Sequence, residues 1–115
     1  MSPMQIITKP VDRGMLKTLA SERFVDMVKA VVDIEREIMA IGGELHADAE
    51  QMLLEQGSKR ENLWGVNLYP DTETADWLEF DSMINLRPSQ GNRSRGVDDP
   101  DLRERIRTVV SSLVA

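Results

Sequence analysis

Between Val28 and Ile41 the chain carries six β-branched residues, and how this stretch folds constrains the rest of the molecule. As a helix, Phe24, Met27, Val28, Val31, Ile34, Ile38 and Ile41 would share one face, and Gly42-Gly43 would stop it. As strands, Val28, Ala30, Val32 and Ile34 would alternate with Lys29, Val31, Asp33 and Glu35, and a turn at Glu35-Arg36 would lead into Ile38 to Gly43. The density of β-branched side chains favours strands. The turn counts against them, because neither Glu nor Arg suits a positive φ. Taken alone, these residues leave the two readings nearly balanced.

The flanking segments are clearer. Gln5 to Thr8 reads as a first strand ending before Pro10. Asp12 is placed to cap a short helix with Met15, Leu16 and Leu19 on its buried stripe. Asp48, with Gln51 three places on, predicts a second helix that buries Ala49, Met52 and Leu53 and stops at Gly57. Leu63 to Tyr69 predicts a strand closed by Pro70, and Asp71 to Asp76 a polar turn. Trp77 to Leu86 reads as one strand, with Leu78, Phe80, Ser82, Ile84 and Leu86 on one face and Glu79, Asp81 and Asn85 on the other. Ser89 to Gly96 is a loop. Asp99 then caps a helix with Pro100 at its first position and a stripe of Leu102, Ile106, Val109, Val110 and Leu113. The expected fold is α+β in a single domain spanning residues 1–115. An antiparallel sheet of about four to five strands packs on three helices in the order β-α-β-β-α-β-β-α.

At 115 residues, the chain is long enough to bury a core without a disulfide or metal. It has no cysteine, which removes thiolate chemistry and Cys-based metal sites and suits a reducing cytoplasm. No signal peptide and no membrane-length apolar run is visible, so a cytoplasmic protein without membrane partners is expected. The net charge of −6 is unevenly spread. Residues 30–86 hold 13 acids and 3 bases, whereas residues 87–107 hold six arginines and four acids. The acidic body disfavours broad binding to nucleic acid, leaving the arginine segment as a local exception.

Val31-Val32-Asp33, the run Gly43 to Asp48, the run Leu63 to Asn67 and the run Ile84 to Ser94 together resemble a small bacterial single-domain family of unknown function. The likeness covers nearly the whole chain. It implies a bacterial source and favours strands across residues 27–43. It implies no activity and no functional residues.

Three groups of residues could carry chemistry. His46, the only histidine, sits among Glu44, Asp48 and Glu50, a set that could ligate a divalent metal or pair a general base with its orienter. Against this, no second histidine is present, and Asp48 and Glu50 already suit a helix N-terminus. Arg87, Asn92, Arg93 and Arg95, with amides near Gly91 and Gly96, could form an anion nest that Arg103 and Arg107 extend. Asp98, Asp99 and Asp101 oppose an anion there, and the arginines could instead pair with the acidic sheet. Asp33, Glu35 and Glu37, with Glu79 and Asp81, could hold a cation, although a solvated sheet face explains them as well. Trp64 and Trp77 suit a core better than a stacking platform. Nucleophilic catalysis has no supporting motif. The leading expectation is a non-enzymatic binding or accessory module whose arginine loop meets an acidic protein or a phosphate-bearing ligand, with no cofactor. The alternative is a metal-dependent enzyme centred on His46 and its carboxylates.

Overall fold

The computed structural model describes residues 2–115. Its elements are β1 (Gln5–Ile7), α1 (Arg13–Arg23), β2 (Val28–Asp33), β3 (Ile38–Ile41), α2 (His46–Glu55), β4 (Leu63–Leu68), β5 (Leu78–Glu79) and α3 (Pro100–Leu113). They form one antiparallel sheet ordered β1-β3-β2-β4-β5, so the fold is α+β in the expected order. The ambiguous stretch is a pair of strands in register from Ala30↔Ile41 to Asp33↔Ile38. Its turn is longer than Glu35-Arg36. The Asp33 carboxylate accepts from the Glu35 and Arg36 amides at 2.9 and 3.0 Å, and Glu37 takes the positive φ of 57°. An Asx-type turn thus replaces the two-residue turn that these residues could not make.

Alternation sorts the strand residues onto two faces. On one face Val28, Ala30, Val32, Met39, Ile41, Trp64, Val66 and Leu68 pack beneath Leu16 and Leu19 of α1 and Ile106, Val109, Val110 and Leu113 of α3. Both helices are capped as their sequences predict: Asp12 accepts from the Met15 amide and Asp99 from the Asp101 amide. On the other face Val31, Ile38, Ala40 and Leu63 pack beneath Ala49 and Leu53 of α2.

Two expectations are corrected. Asp48 does not cap α2. The helix begins at His46 with Leu45 as its cap residue, no side chain caps it, and Asp48 lies exposed in the first turn. The capping box is likewise absent, as Gln51 bonds Glu55 instead. The helix starts three residues early, with His46 buried against the sheet. Trp77 to Leu86 is also not one strand. β5 pairs with β4 only at Asn67↔Glu79 and Leu68↔Leu78. The chain then turns at Ser82, whose hydroxyl accepts from the Ile84 amide, into a short 3₁₀ turn over Met83–Asn85. The buried Asn85 amide stands in for the missing strand, accepting from the Gly65 N–H at 2.8 Å and donating to the Gly65 carbonyl at 2.9 Å. Leu86, expected on the inward face, is 43% exposed.

Candidate binding cleft

α2 is about 15 Å long at ten residues, and it covers only part of its sheet face. Beyond its N-terminus the sheet presents a polar row: Lys29 on β2 stands opposite Asn67 on β4, which stands opposite Glu79 on β5. This row floors a cleft of about 420 Å³. Leu45, His46 and Ala47 at the start of α2 form one wall, Ser82, Met83 and Ile84 another, and Arg95 reaches in from the arginine loop.

Gly65 lets the walls close onto the floor. A Cβ there would lie 2.6 Å from the Ser82 side chain and 3.2 Å from His46 Cδ2. His46 is buried against the sheet, with Nε2 at 2.9 Å from the Val66 carbonyl. A carbonyl only accepts, so Nε2 carries the proton and Nδ1 keeps its lone pair. Burial holds the imidazole pKa below its ordinary value. The Val66 carbonyl pulls it upward, Lys29 pushes it down, and Asn67 and Asp81 add smaller upward pulls.

The rest of the floor is tightly wired. Asn67 donates through Nδ2 to Glu79 Oε1 at 2.8 Å and to the Asp81 carbonyl at 3.1 Å. Tyr69 donates to the same Glu79 oxygen, and burial, followed by the Glu79 charge, raises the phenol pKa. Arg95 Nε donates to Asp81 Oδ1 at 2.8 Å. Lys29 rests its ammonium 5.0 Å from the centre of the Phe24 ring and forms no ion pair among the described residues.

The residues singled out by the sequence are dispersed. Glu44 turns away from His46 to pair with Arg23 at 3.3 Å. Glu50 lies 3.7 Å from Arg87, and among the described residues no three His, Asp or Glu side chains could share a metal ion. Asp33 is fully buried and bonded to the turn and to Ser58, four residues along β4 from the Glu79 register, so the third set does not assemble either.

The arginine loop is largely inward-looking. The Arg87 side chain is 9% exposed and stacks on Trp64 at 4.6 Å. It donates to the carbonyls of Ile84, Arg60 and Leu63. Burial lowers its pKa, and Glu50 opposes that shift. Asn92 is a buried hub whose Nδ2 serves the carbonyls of Asn85 and Gly96 and whose Oδ1 accepts from the Asp98 amide. Arg93 donates through its backbone to Asp98, and its guanidinium has no partner among the described residues. Arg103 donates to the Val97 carbonyl, and Arg107 lies 5.0 Å from the Phe80 ring centre. Of the four arginine-loop candidates, Arg95 alone lines the cleft.

Sequence reasoning placed Lys29, Asn67 and Glu79 on sheet strands but did not join them to His46. The usable signal was an out-of-place polar residue, Asn67, in the otherwise hydrophobic Leu63 to Leu68 run.

Fold and site define a small α+β domain with one half-covered sheet face. The chain belongs to a family described as "Protein of unknown function (DUF5674)", matched over residues 5–113. Searches of curated proteins and of solved structures find no match.

Proposed function

We propose that the protein is a non-enzymatic binding module that holds a small ligand in the cleft between the start of α2 and the 79–95 segment. The observation that supports this most is the composition of that cleft. A floor of charged and amide groups lies inside a rim of apolar side chains, where Leu45 and Met83 are 57% and 62% exposed. Apolar walls with a few placed polar groups are the usual make-up of a ligand site. Arg95 is the arginine loop's contribution to it, and a bacterial cytoplasmic setting suits a chain without cysteine.

The test is a titration of ¹⁵N-labelled protein with hexanol, hexanoate and hexylamine in turn. At least one probe is expected to shift amides of Lys29, His46, Asn67 and Met83 in a saturable way. Silence of the cleft toward all three would remove this reading. A second reading places an acidic partner on the loop's surface, and the Arg93 guanidinium, which has no partner among the described residues, supports it. Loss of a captured acidic peptide on Arg93→Ala, with Arg95→Ala unaffected, would favour it over the cleft.

A further inference from the structure

The floor of the cleft has one unmet demand. Asn67 is 6% exposed, and both of its Nδ2 partners are acceptors, so its amide orientation is set. Its Oδ1 is buried with no hydrogen-bond partner among the described residues. A buried acceptor left without a donor is costly, and such a group in a native site calls for an explanation. The His46 ring lines the same cleft, where the Val66 carbonyl and, more weakly, Asn67 raise its imidazole pKa against the larger effect of burial. With Nε2–H held on the Val66 carbonyl, a second proton on the ring can go only to Nδ1.

The groups available to an incoming ligand are complementary to an anion. Lys29 has no carboxylate partner among the described residues. The N-terminus of α2 has no side-chain cap among the described residues, and Ala47 of its first turn lines the cleft. The Asp48 N–H is taken by the Leu45 carbonyl and Asp48 adds one negative charge to that turn, so the N–H groups of His46 and Ala47 are the ones left to receive an anion. The carboxylates present are already engaged: Asp81 by Arg95, and Glu79 by Asn67 and Tyr69. Lys29 and Arg95 offset Glu79 and Asp81, so the cleft is neutral while His46 is neutral.

We propose that the cleft binds the oxyanion head of a small, partly apolar ligand, with Lys29 and the α2 N-terminus facing the head and the Leu45–Met83 rim facing the apolar part, and that His46 takes up one proton as the ligand binds. The proton comes from solvent onto Nδ1, because Nε2–H stays on the Val66 carbonyl. The ligand's negative charge offsets the cost of a buried imidazolium. This rests on the cleft being the binding site.

The experiment is calorimetry with hexanoate and hexyl phosphate in separate arms, hexylamine as the cationic control, and two buffers of different ionisation enthalpy. Hexanoate is ionised throughout the range used, so its arm reports the protein's own proton uptake. The expected result is 1:1 binding of at least one oxyanion with net proton uptake near neutral pH. Affinity should weaken by about threefold or more from pH 6.5 to 7.5, below the roughly tenfold limit for one linked proton. In His46→Gln, shown folded by its thermal transition, binding should weaken and lose most of its pH dependence. The arm that binds separates a carboxylate from a phosphate head. Binding of hexylamine without either oxyanion would overturn the ligand class while leaving the cleft as the site. Oxyanion binding without proton uptake, or with an unchanged pH slope in His46→Gln, would overturn the role of His46. No heat and no cleft shifts with any probe would overturn both this proposal and the binding reading.

Discussion

The two faces of the sheet come from the same strands yet have opposite characters. The α1/α3 face is closed, and Val28, Ala30, Val32, Val66 and Leu68 are almost wholly withdrawn from solvent beneath two helices. The α2 face is apolar only under the helix, at Val31, Ile38, Ala40 and Leu63, and turns polar at Lys29, Asn67 and Glu79 where the helix ends. The difference lies in cover rather than in strand propensity. The face beyond the helix carries polar residues, of which Asn67 and Glu79 are bonded to each other while Lys29 forms no ion pair among the described residues.

The sharpest break of this comparison is in the closed face. Ile106→Ala removes a fully buried side chain from the α3 stripe and should cost roughly 2–5 kcal/mol in a urea titration. A loss below half a kcal/mol would mean that α3 is peripheral and that the two faces are not energetically distinct.

The half-covered face should depend on polar wiring to a comparable degree. Asn85→Ala would leave the Gly65 N–H and carbonyl without their side-chain partner, at roughly 1–3 kcal/mol for each buried group left unpaired. Hydrogen exchange at the Gly65 amide should accelerate in this variant, while that of Val110 follows only the global loss. Equal acceleration at both sites would erase the distinction.

The smallest effect is silent at pH 7.5. Because burial lowers the folded-state pKa of His46, the unfolded chain binds this proton more readily than the native one. The stability that the neutral ring contributes is complete above the unfolded value of about 6.5 and is lost as pH falls through the lower folded value. His46→Gln should flatten the dependence of the urea midpoint on pH between 7.5 and 5.5. An identical slope in both proteins would show that His46 does not titrate there.

Much of the fold was legible because it rests on local chemistry. Asp12 and Asp99 announce their helices, since capping needs only a side-chain oxygen within reach of nearby amides. The α3 stripe and the Leu63 to Leu68 strand follow from period. The Leu78 to Leu86 alternation misled, because whether it continues as a strand depends on what sits beside β4, and the Asn85 amide occupies that edge. The His46 segment misled differently. Its acids are neighbours in sequence but diverge in space, with Glu44 drawn to Arg23, while Glu79 and Asp81 arrive at the His46 cleft from the far edge of the sheet.

By itself, then, the sequence determined the α+β class, the two capped helices and the composition of the core, all of which depend on residues within a few positions of one another. Tertiary structure decided that residues 28–41 pair as strands through the Asp33 turn, that Arg87 and Asn92 serve the interior, and that Lys29, His46, Asn67, Glu79 and Arg95 meet. The physical reason is register and cover. Which side chains stand opposite one another, and where a ten-residue helix stops short of the sheet's edge, are properties of the assembled layers and leave no mark on any single stretch of the chain.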